Sequence, residues 1–348
     1  MIIFTYGKKA KLLDQGINLD LYKEPLIETN SRATVCNGLF LKYNEKNLET
    51  SVKVRINPKS EYFLVNRNRK LKLLDQQGKI FLEDLEIIKS NIKSKIFTEQ
   101  LSGIIATSLY GCQLANIGKQ CKFCSSQKYK GLKFSKKEFK RELEDILKKE
   151  NINALTINGG SFPDLKYKGY ELMSDYVKIA KETEIKEINI ELMPNPEIKT
   201  QELKKFFKRI KKEGVTSIQF NIEIWDLEKR KRLMPYKGLI PIQTYLDYIK
   251  EGSNYLGEGK ISSVLLTGLN SSEDLLKGSK RILKNRGIPS LEVFRALPNT
   301  ELENFQTNYN LEEILNLTET IKKKINLKFK DKTIFEGCVK CGGCSLNK

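Results

Sequence analysis

Six of the seven cysteines in this 348-residue chain stand in two tight groups, and the chain contains no histidine. The first group, Cys112, Cys121 and Cys124, lies within "ATSLYGCQLANIGKQCKFCSSQ" with the spacing C-x8-C-x2-C. The second, Cys338, Cys341 and Cys344, forms "CVKCGGC" with the spacing C-x2-C-x2-C. Thiolates select zinc or iron–sulfur clusters. A structural zinc site is closed by four ligands, so without histidine each triplet would need a further cysteine or a carboxylate. A [4Fe–4S] cluster held by three thiolates instead keeps one iron open. Cys36 is a candidate fourth ligand, although an isolated cysteine in a β-rich stretch also suits a small core position. Gly342 and Gly343 suit a backbone folding tightly around a cluster and aiming amides at it.

The elements that must position these groups can be read from periodicity. From about residue 103, short β-rich runs alternate with amphipathic helical segments. The expected strands are "GIIATSLY", "NALTINGG", "KEINIELMPN", "SIQFNIEIWD", "KISSVLLTGL" and "SLEVFRAL". Between them lie five helical segments, and glycines at 214, 257 and 287 mark three helix ends. This α/β alternation predicts a parallel sheet with right-handed crossovers. Six units are too few for the closed eight-unit barrel, which leaves a partial barrel or an open doubly wound sheet. The first triplet follows the first of these strands, at the sheet edge where such folds build active sites. Residues 1–98 read as a separate β-rich extension, with Gly78 in a hairpin turn. Residues 99–307 hold the alternating units, and 308–348 a final helix and the cysteine-rich tail.

Apolar residues make up 39% of the chain and charged residues 30%, which describes a globular protein and not a disordered chain. No apolar run approaches the ~18–20 residues that span a bilayer, and "MIIFTYGKKAKLL" is a poor signal peptide. A cytoplasmic protein without membrane partners is expected, and there the cysteines are not a disulfide framework. The net charge of +19 would favour RNA, an acidic protein or an anionic metabolite. The lysines, however, are spread through most helical segments and follow a general Lys, Ile and Asn bias. Trp225 is expected to pack, and Tyr167 to Tyr170 to form a solvated lead into a helix.

The first triplet, its strand and the motifs downstream resemble the radical S-adenosylmethionine (SAM) superfamily, over about residues 55 to 305. That resemblance implies a partial (β/α)6 barrel with a [4Fe–4S] cluster on Cys112, Cys121 and Cys124, whose open iron chelates SAM. It implies reductive cleavage of SAM to methionine and a 5′-deoxyadenosyl radical that abstracts hydrogen from a substrate. Phe123 within "CKFC" matches the aromatic near the adenine. Gly159 and Gly160 match a turn that receives the methionine amino group, but Ser161 replaces its usual acid. Asn221 and Glu223 match polar positions contacting the ribose or carboxylate, Gly268 a close approach to the adenine, and Pro298-Asn299-Thr300 a Pro-Gly-Thr ending.

The C-x8-C-x2-C spacing departs from the usual C-x3-C-x2-C and resembles a biotin-synthase-like branch found beside nitrilase genes, with lipoyl synthase a related case; the catalytic subunit of Elongator also has a longer spacing. Auxiliary clusters recur near the C-terminus in the superfamily. Cys338, Cys341 and Cys344 are therefore expected to hold a second iron–sulfur cluster, with sulfur insertion the leading chemistry and Cys36, Ser345 or the substrate as fourth ligand. The implied partners are a flavodoxin or ferredoxin reductase and a small-molecule or protein-bound substrate. Two alternatives stay open: a tRNA-modifying relative, and a zinc-stabilised nucleic-acid-binding protein whose tail is a zinc knuckle or a disordered redox-sensitive segment.

Overall fold

The computed structural model describes residues 7–22, 38–45, 48–125, 131, 134–307, 310–330 and 335–346. Cys36 lies outside them. The chain opens with helix α1 (Gly7–Gln15) and an antiparallel sheet of five strands. These are β1 (Gly38–Glu45), β2 (Leu48–Arg55), β3 (Phe63–Arg67), β4 (Lys70–Leu74) and β5 (Ile80–Ile88), in the order β2-β1-β5-β4-β3. The β3–β4 hairpin turns at Asn68 and Arg69, both with positive φ, and Gly78 (φ 75°) serves the next turn. Alternation in "GLFLKYNE" buries Leu39, Leu41 and Tyr43 on one face.

The second sheet has seven strands: β6 (Thr98–Gln100), β7 (Ile104–Ser108), β8 (Ala154–Asn158), β9 (Glu187–Glu191), β10 (Ser217–Gln219), β11 (Ile261–Thr267) and β12 (Ile288–Val293). They lie side by side in chain order, with β6 antiparallel to β7 and every other pairing parallel. The connecting helices are α2 (Lys136–Lys149), α3 (Tyr170–Lys181), α4 (Thr200–Glu213), α5 (Leu227–Leu233), α6 (Ile242–Leu256) and α7 (Ser272–Lys284). Their starts follow ordinary capping chemistry. Ser135 and Glu138 form a capping box on α2, and Asp226 and Ser271 cap α5 and α7. Gly214 ends α4 in the left-handed conformation.

The sheet is curled into a half-barrel. On a flat sheet, loops after β7 and β12 would stand ~24 Å apart, at ~4.8 Å per strand. Here Phe123, in the loop after β7, meets Phe294, just past β12, edge to face with ring centroids at 6.5 Å. Helices cover the convex face, where Phe139, Val177, Phe207 and Ile249 are fully buried. The concave face carries polar side chains, among them Asn189 and Glu191 on β9, Ser217 and Gln219 on β10, Ser262 on β11 and Glu292 on β12.

Helix α8 (Leu311–Lys328) and the short helix α9 (Gly337–Cys341) complete the chain. The tail is folded into the molecule, and this overturns the view of it as a disordered segment. Gly337 lies against the Asn189 side chain so closely that a Cβ would stand 2.4 Å from its Cγ. Glu336 pairs with Lys260 and accepts from Thr216, and Lys340 reaches Glu187 at 2.7 Å. Beyond α9, the Lys53 amide of β2 donates to the Gly343 carbonyl (2.9 Å), and the Leu346 amide to Leu291 of β12 (2.8 Å). The tail is thus clamped between the two sheets, and one continuous buried core links α1 and the first sheet to the half-barrel.

Three expectations are corrected. The strand in "SIQFNIEIWD" ends at Gln219, and the residues beyond it turn into α5, which periodicity missed because its seven residues are mostly charged. Tyr167 stacks on Phe206 (4.5 Å) and Tyr170 is fully buried, so that run packs on α4 and is not a solvated segment. Helix α7 is stopped at Asn285, with Arg286 in positive φ ahead of Gly287. Trp225 packs as expected, against Gly278 of α7. No helix among the described residues is long and apolar enough to cross a membrane.

Candidate active site

The first cysteine triplet occupies the loop that leaves β7 at the C-terminal edge of the parallel strands. Cys112 precedes a single 3₁₀ turn at Gln113–Ala115, and Cys121 to Cys124 close a tight turn in which the Cys124 amide donates to the Cys121 carbonyl (3.1 Å). Neighbouring loops pin this segment. The Lys122 amide donates to Leu233 (2.9 Å), while its ammonium pairs with Glu301 at 2.8 Å. The turn after β8 seals the other side: Gly160 donates to Tyr110 (2.9 Å), and the Gln113 amide to Ser161 (3.1 Å). Gly160 touches the cysteine loop so closely that a Cβ would lie 2.0 Å from Cys112 Cα.

Around Cys121 lies a separate apolar cluster made by loops and element ends that are distant in sequence. Ile224, Leu233, Met234, Leu269 and Phe294 are buried there, with Phe123 and Cys124 partly so. Gly268, with φ 87°, turns the chain out of β11 beside this cluster. Asn299 takes φ 62°, the conformation glycine adopts easily, in the Pro298-Asn299-Thr300 turn.

Glu223 stands at the inner end of this mouth. Its φ is +65°, an uncommon state for a non-glycine residue, held by backbone bonds to Val264 and Leu266 of β11. That geometry breaks the extended strand expected through "SIQFNIEIWD", on which Asn221 and Glu223 would share a face. Asn221 instead uses its side-chain oxygen to accept from the Val264 amide (3.1 Å). Lys237, which follows α5, pairs with Glu223 Oε1 at 2.8 Å, both side chains being mostly buried. The other carboxylate oxygen, Oε2, is buried with no hydrogen-bond partner. Burial works against the Lys237 charge, but Glu223 and Cys121 outweigh it and raise its pKa. Burial also pushes the Cys121 thiol well up, and Glu223 adds to it.

The second triplet faces the same lumen. Cys338 and Cys341 sit on α9, and Gly342 (φ 68°) turns the chain towards Cys344. The Cys338 thiol donates to Glu191 Oε1 across 3.7 Å. Burial raises the Glu191 carboxyl to about 7, with Glu292 of β12 contributing. Burial raises Cys338 and Cys344 too, and Glu292 acts on both. Glu223 also bears electrostatically on Glu191 and Glu292. Lysine 9 of α1, only 2% exposed, caps the tail by donating to the Gly342 carbonyl at 2.9 Å.

The structure therefore brings Phe123, Gly160 and Glu223 to the first triplet. The second triplet lies apart from it, deeper along the concave face. Lys237, Glu191, Glu292 and Lys9 were not found by motif reading. A lysine followed by glycine, or a glutamate ending a strand, carries no local signal of such placement.

The donor set suits sulfur-rich cofactors, since both triplets are all thiol. Cys121 and Cys124 share one apolar cluster, and Cys338 and Cys341 lie on one short helix. Among the described residues, no three His, Cys, Asp or Glu side chains converge tightly enough to chelate one metal ion. Thiolates of an iron–sulfur cluster bind different irons and need proximity and not convergence. The orphaned Glu223 oxygen beside Cys121 suits a cationic group.

No protein-family model and no curated protein matches the chain. Among solved structures, it is similar to HydG, a maturase of the [FeFe]-hydrogenase, with 17% identity and a TM-score of 0.47 over 63% of this chain and 49% of that one. It is similar to methylornithine synthase (PylB), with 18% identity and a TM-score of 0.47 over 65% and 62%. It is also similar to the radical SAM methyltransferase TsrM from Kitasatospora setae, with 12% identity and a TM-score of 0.40 over 62% and 41%. The match spans less than two thirds of each of these proteins.

Proposed function

We propose that this chain is a radical SAM enzyme whose partial (β/α)6 barrel carries one SAM-binding cluster and one auxiliary cluster. The observation that carries the reading is the seating of Cys112, Cys121 and Cys124 at the C-terminal mouth of the parallel sheet, against Gly160 and beside Glu223. Cys112, Cys121 and Cys124 would hold a [4Fe–4S] cluster, which on binding SAM supplies a one-electron cleavage to methionine and a hydrogen-abstracting 5′-deoxyadenosyl radical. Phe123 offers an apolar edge for the adenine within the cluster of Ile224, Leu269 and Phe294. Glu223 offers its free carboxylate oxygen to a positive group of the cofactor, held in place by Lys237. The apolar walls keep water from a reactive radical, and radical abstraction needs positioning more than acid–base catalysis. That agrees with a histidine-free chain.

Cys338, Cys341 and Cys344 would hold the auxiliary cluster, open to the same lumen, and sulfur insertion from it is the favoured chemistry. Residues 99–307 form the catalytic segment in this reading. A reductase of the flavodoxin or ferredoxin class delivers the electron, and the +19 charge keeps an RNA substrate as the second reading.

Anaerobic protein mixed with SAM and dithionite should form 5′-deoxyadenosine, and Cys121→Ala should abolish it. An iron-loaded wild type that forms none would defeat the proposal. Loss of acid-labile sulfide in step with product would support sulfur donation, and intact sulfide after turnover would remove it.

A further inference from the structure

Resting on the reading that the C-terminal triplet holds an iron–sulfur centre, we propose that Glu191 supplies that centre's remaining ligand, a carboxylate oxygen from the inner face of β9. Three thiolates account for three irons of a four-iron cluster. The chain has no histidine to offer a fourth and Cys36 lies outside the described residues, so among those described an oxygen donor is the chemistry at hand. The tail does not swing freely to find one. Lys340 pairs with Glu187 of β9 at 2.7 Å and Gly337 lies against the Asn189 side chain, which fixes α9 against β9, and Cys338 Sγ stands 3.7 Å from Glu191 Oε1.

Charge balance points the same way. Among the described residues Glu191 makes no ion pair, and its one side-chain hydrogen bond is to Cys338. Glu292 adds a second carboxylate beside Cys338 and Cys344, and the cations acting on these groups are Arg295, Lys53 and, more weakly, Lys237. Enclosed carboxylates are ordinarily paired or bound to metal. Two of them beside three thiols make a surplus of anionic donors, and bound iron would offset it. Of the two, Glu191 is the one in contact with a thiol, so the ligand is assigned to it and Glu292 is its neighbour.

The test isolates the second centre. In a Cys112→Ala/Cys121→Ala/Cys124→Ala variant, reconstituted anaerobically with iron and sulfide, only the C-terminal triplet can hold a cluster. Iron and sulfide counts should give a four-iron centre. Adding Glu191→Gln should remove one iron in four and yield the three-iron paramagnetic signal on mild oxidation. Glu191→Cys in the otherwise unaltered chain should keep all the iron and lower the midpoint potential.

Unchanged iron and spectrum in Glu191→Gln would overturn the assignment while leaving the two-cluster reading intact. A folded triple variant that binds zinc, or no iron, would overturn the two-cluster reading and the ligand with it. Should the triple variant not fold, Mössbauer spectra of the full chain with and without Glu191→Gln decide by the same one-iron difference.

Discussion

The contact between Gly160 and Cys112 makes Gly160→Ala an incisive perturbation. A Cβ there would stand 2.0 Å from Cys112 Cα, 2.2 Å from its nitrogen and 2.4 Å from the Gly111 carbonyl carbon. Ordinary van der Waals contact begins at 3.4 Å, so the cysteine loop or the turn after β8 must retreat by about 1.4 Å. All three contacts are backbone, and nothing flexible can give way. The φ of Gly160 is not positive, so the effect is steric and not conformational. Overpacking of this kind costs about 1–3 kcal/mol. A displacement near 1 Å at a reacting group lowers rates about 100-fold.

Gly159→Ala is the matched control, because its Cβ meets only the flexible end of Met173 at 3.1 Å and Tyr110 at 3.7 Å. Urea stability, iron content and 5′-deoxyadenosine formation should all fall in Gly160→Ala, whereas stability and iron content should stay near wild type in Gly159→Ala. Equal stability and iron content in the two variants would refute the claim that this turn sets the position of Cys112.

Three other perturbations follow from the same geometry. Lys9→Met removes a charged hydrogen bond to Gly342, so unfolding stability should drop by about 1.5–3 kcal/mol, with iron lost from the second triplet first; unchanged stability would contradict a tail held by α1. Lys237→Met leaves Glu223 buried without its cation, which should destabilise the fold by about 3–5 kcal/mol and weaken SAM binding measured by equilibrium dialysis. Removing both partners in Lys237→Met/Glu223→Gln should recover much of the stability. Glu213, despite burial that would raise its carboxyl, is held below its ordinary 4.5 by hydrogen bonds from Tyr170, Arg209 and Ser174. Its folded form binds fewer protons than its unfolded form, so its stabilisation is present above pH 4.5 and is lost as pH falls through the folded value. Urea midpoints compared on either side of that pH should fall less in Glu213→Gln than in wild type.

Much of the half-barrel was legible because its signals are local. Strand and helix periods and the Gly214 stop all act within one element. The cysteine triplets were legible as chemistry because spacing alone groups them. What sequence could not reveal depends on long-range placement. The link from Lys9 to Gly342 spans most of the chain, and the pairing of Ser345 with Glu292 depends on the sheet's free edge. Glu223 was named for the wrong geometric reason, since an extended strand was assumed where the backbone takes positive φ. Helix α9 escaped notice because five residues, two of them cysteine, show no amphipathic period.

The most direct test of the central claim is electron paramagnetic resonance of the anaerobic, dithionite-reduced protein with and without SAM. An open iron on the Cys112, Cys121 and Cys124 loop predicts a cluster signal that changes when SAM is added. That response should persist in Cys338→Ala/Cys341→Ala/Cys344→Ala and vanish in Cys121→Ala. Protein that carries zinc without acid-labile sulfide, or a reduced cluster whose signal ignores SAM, would contradict it.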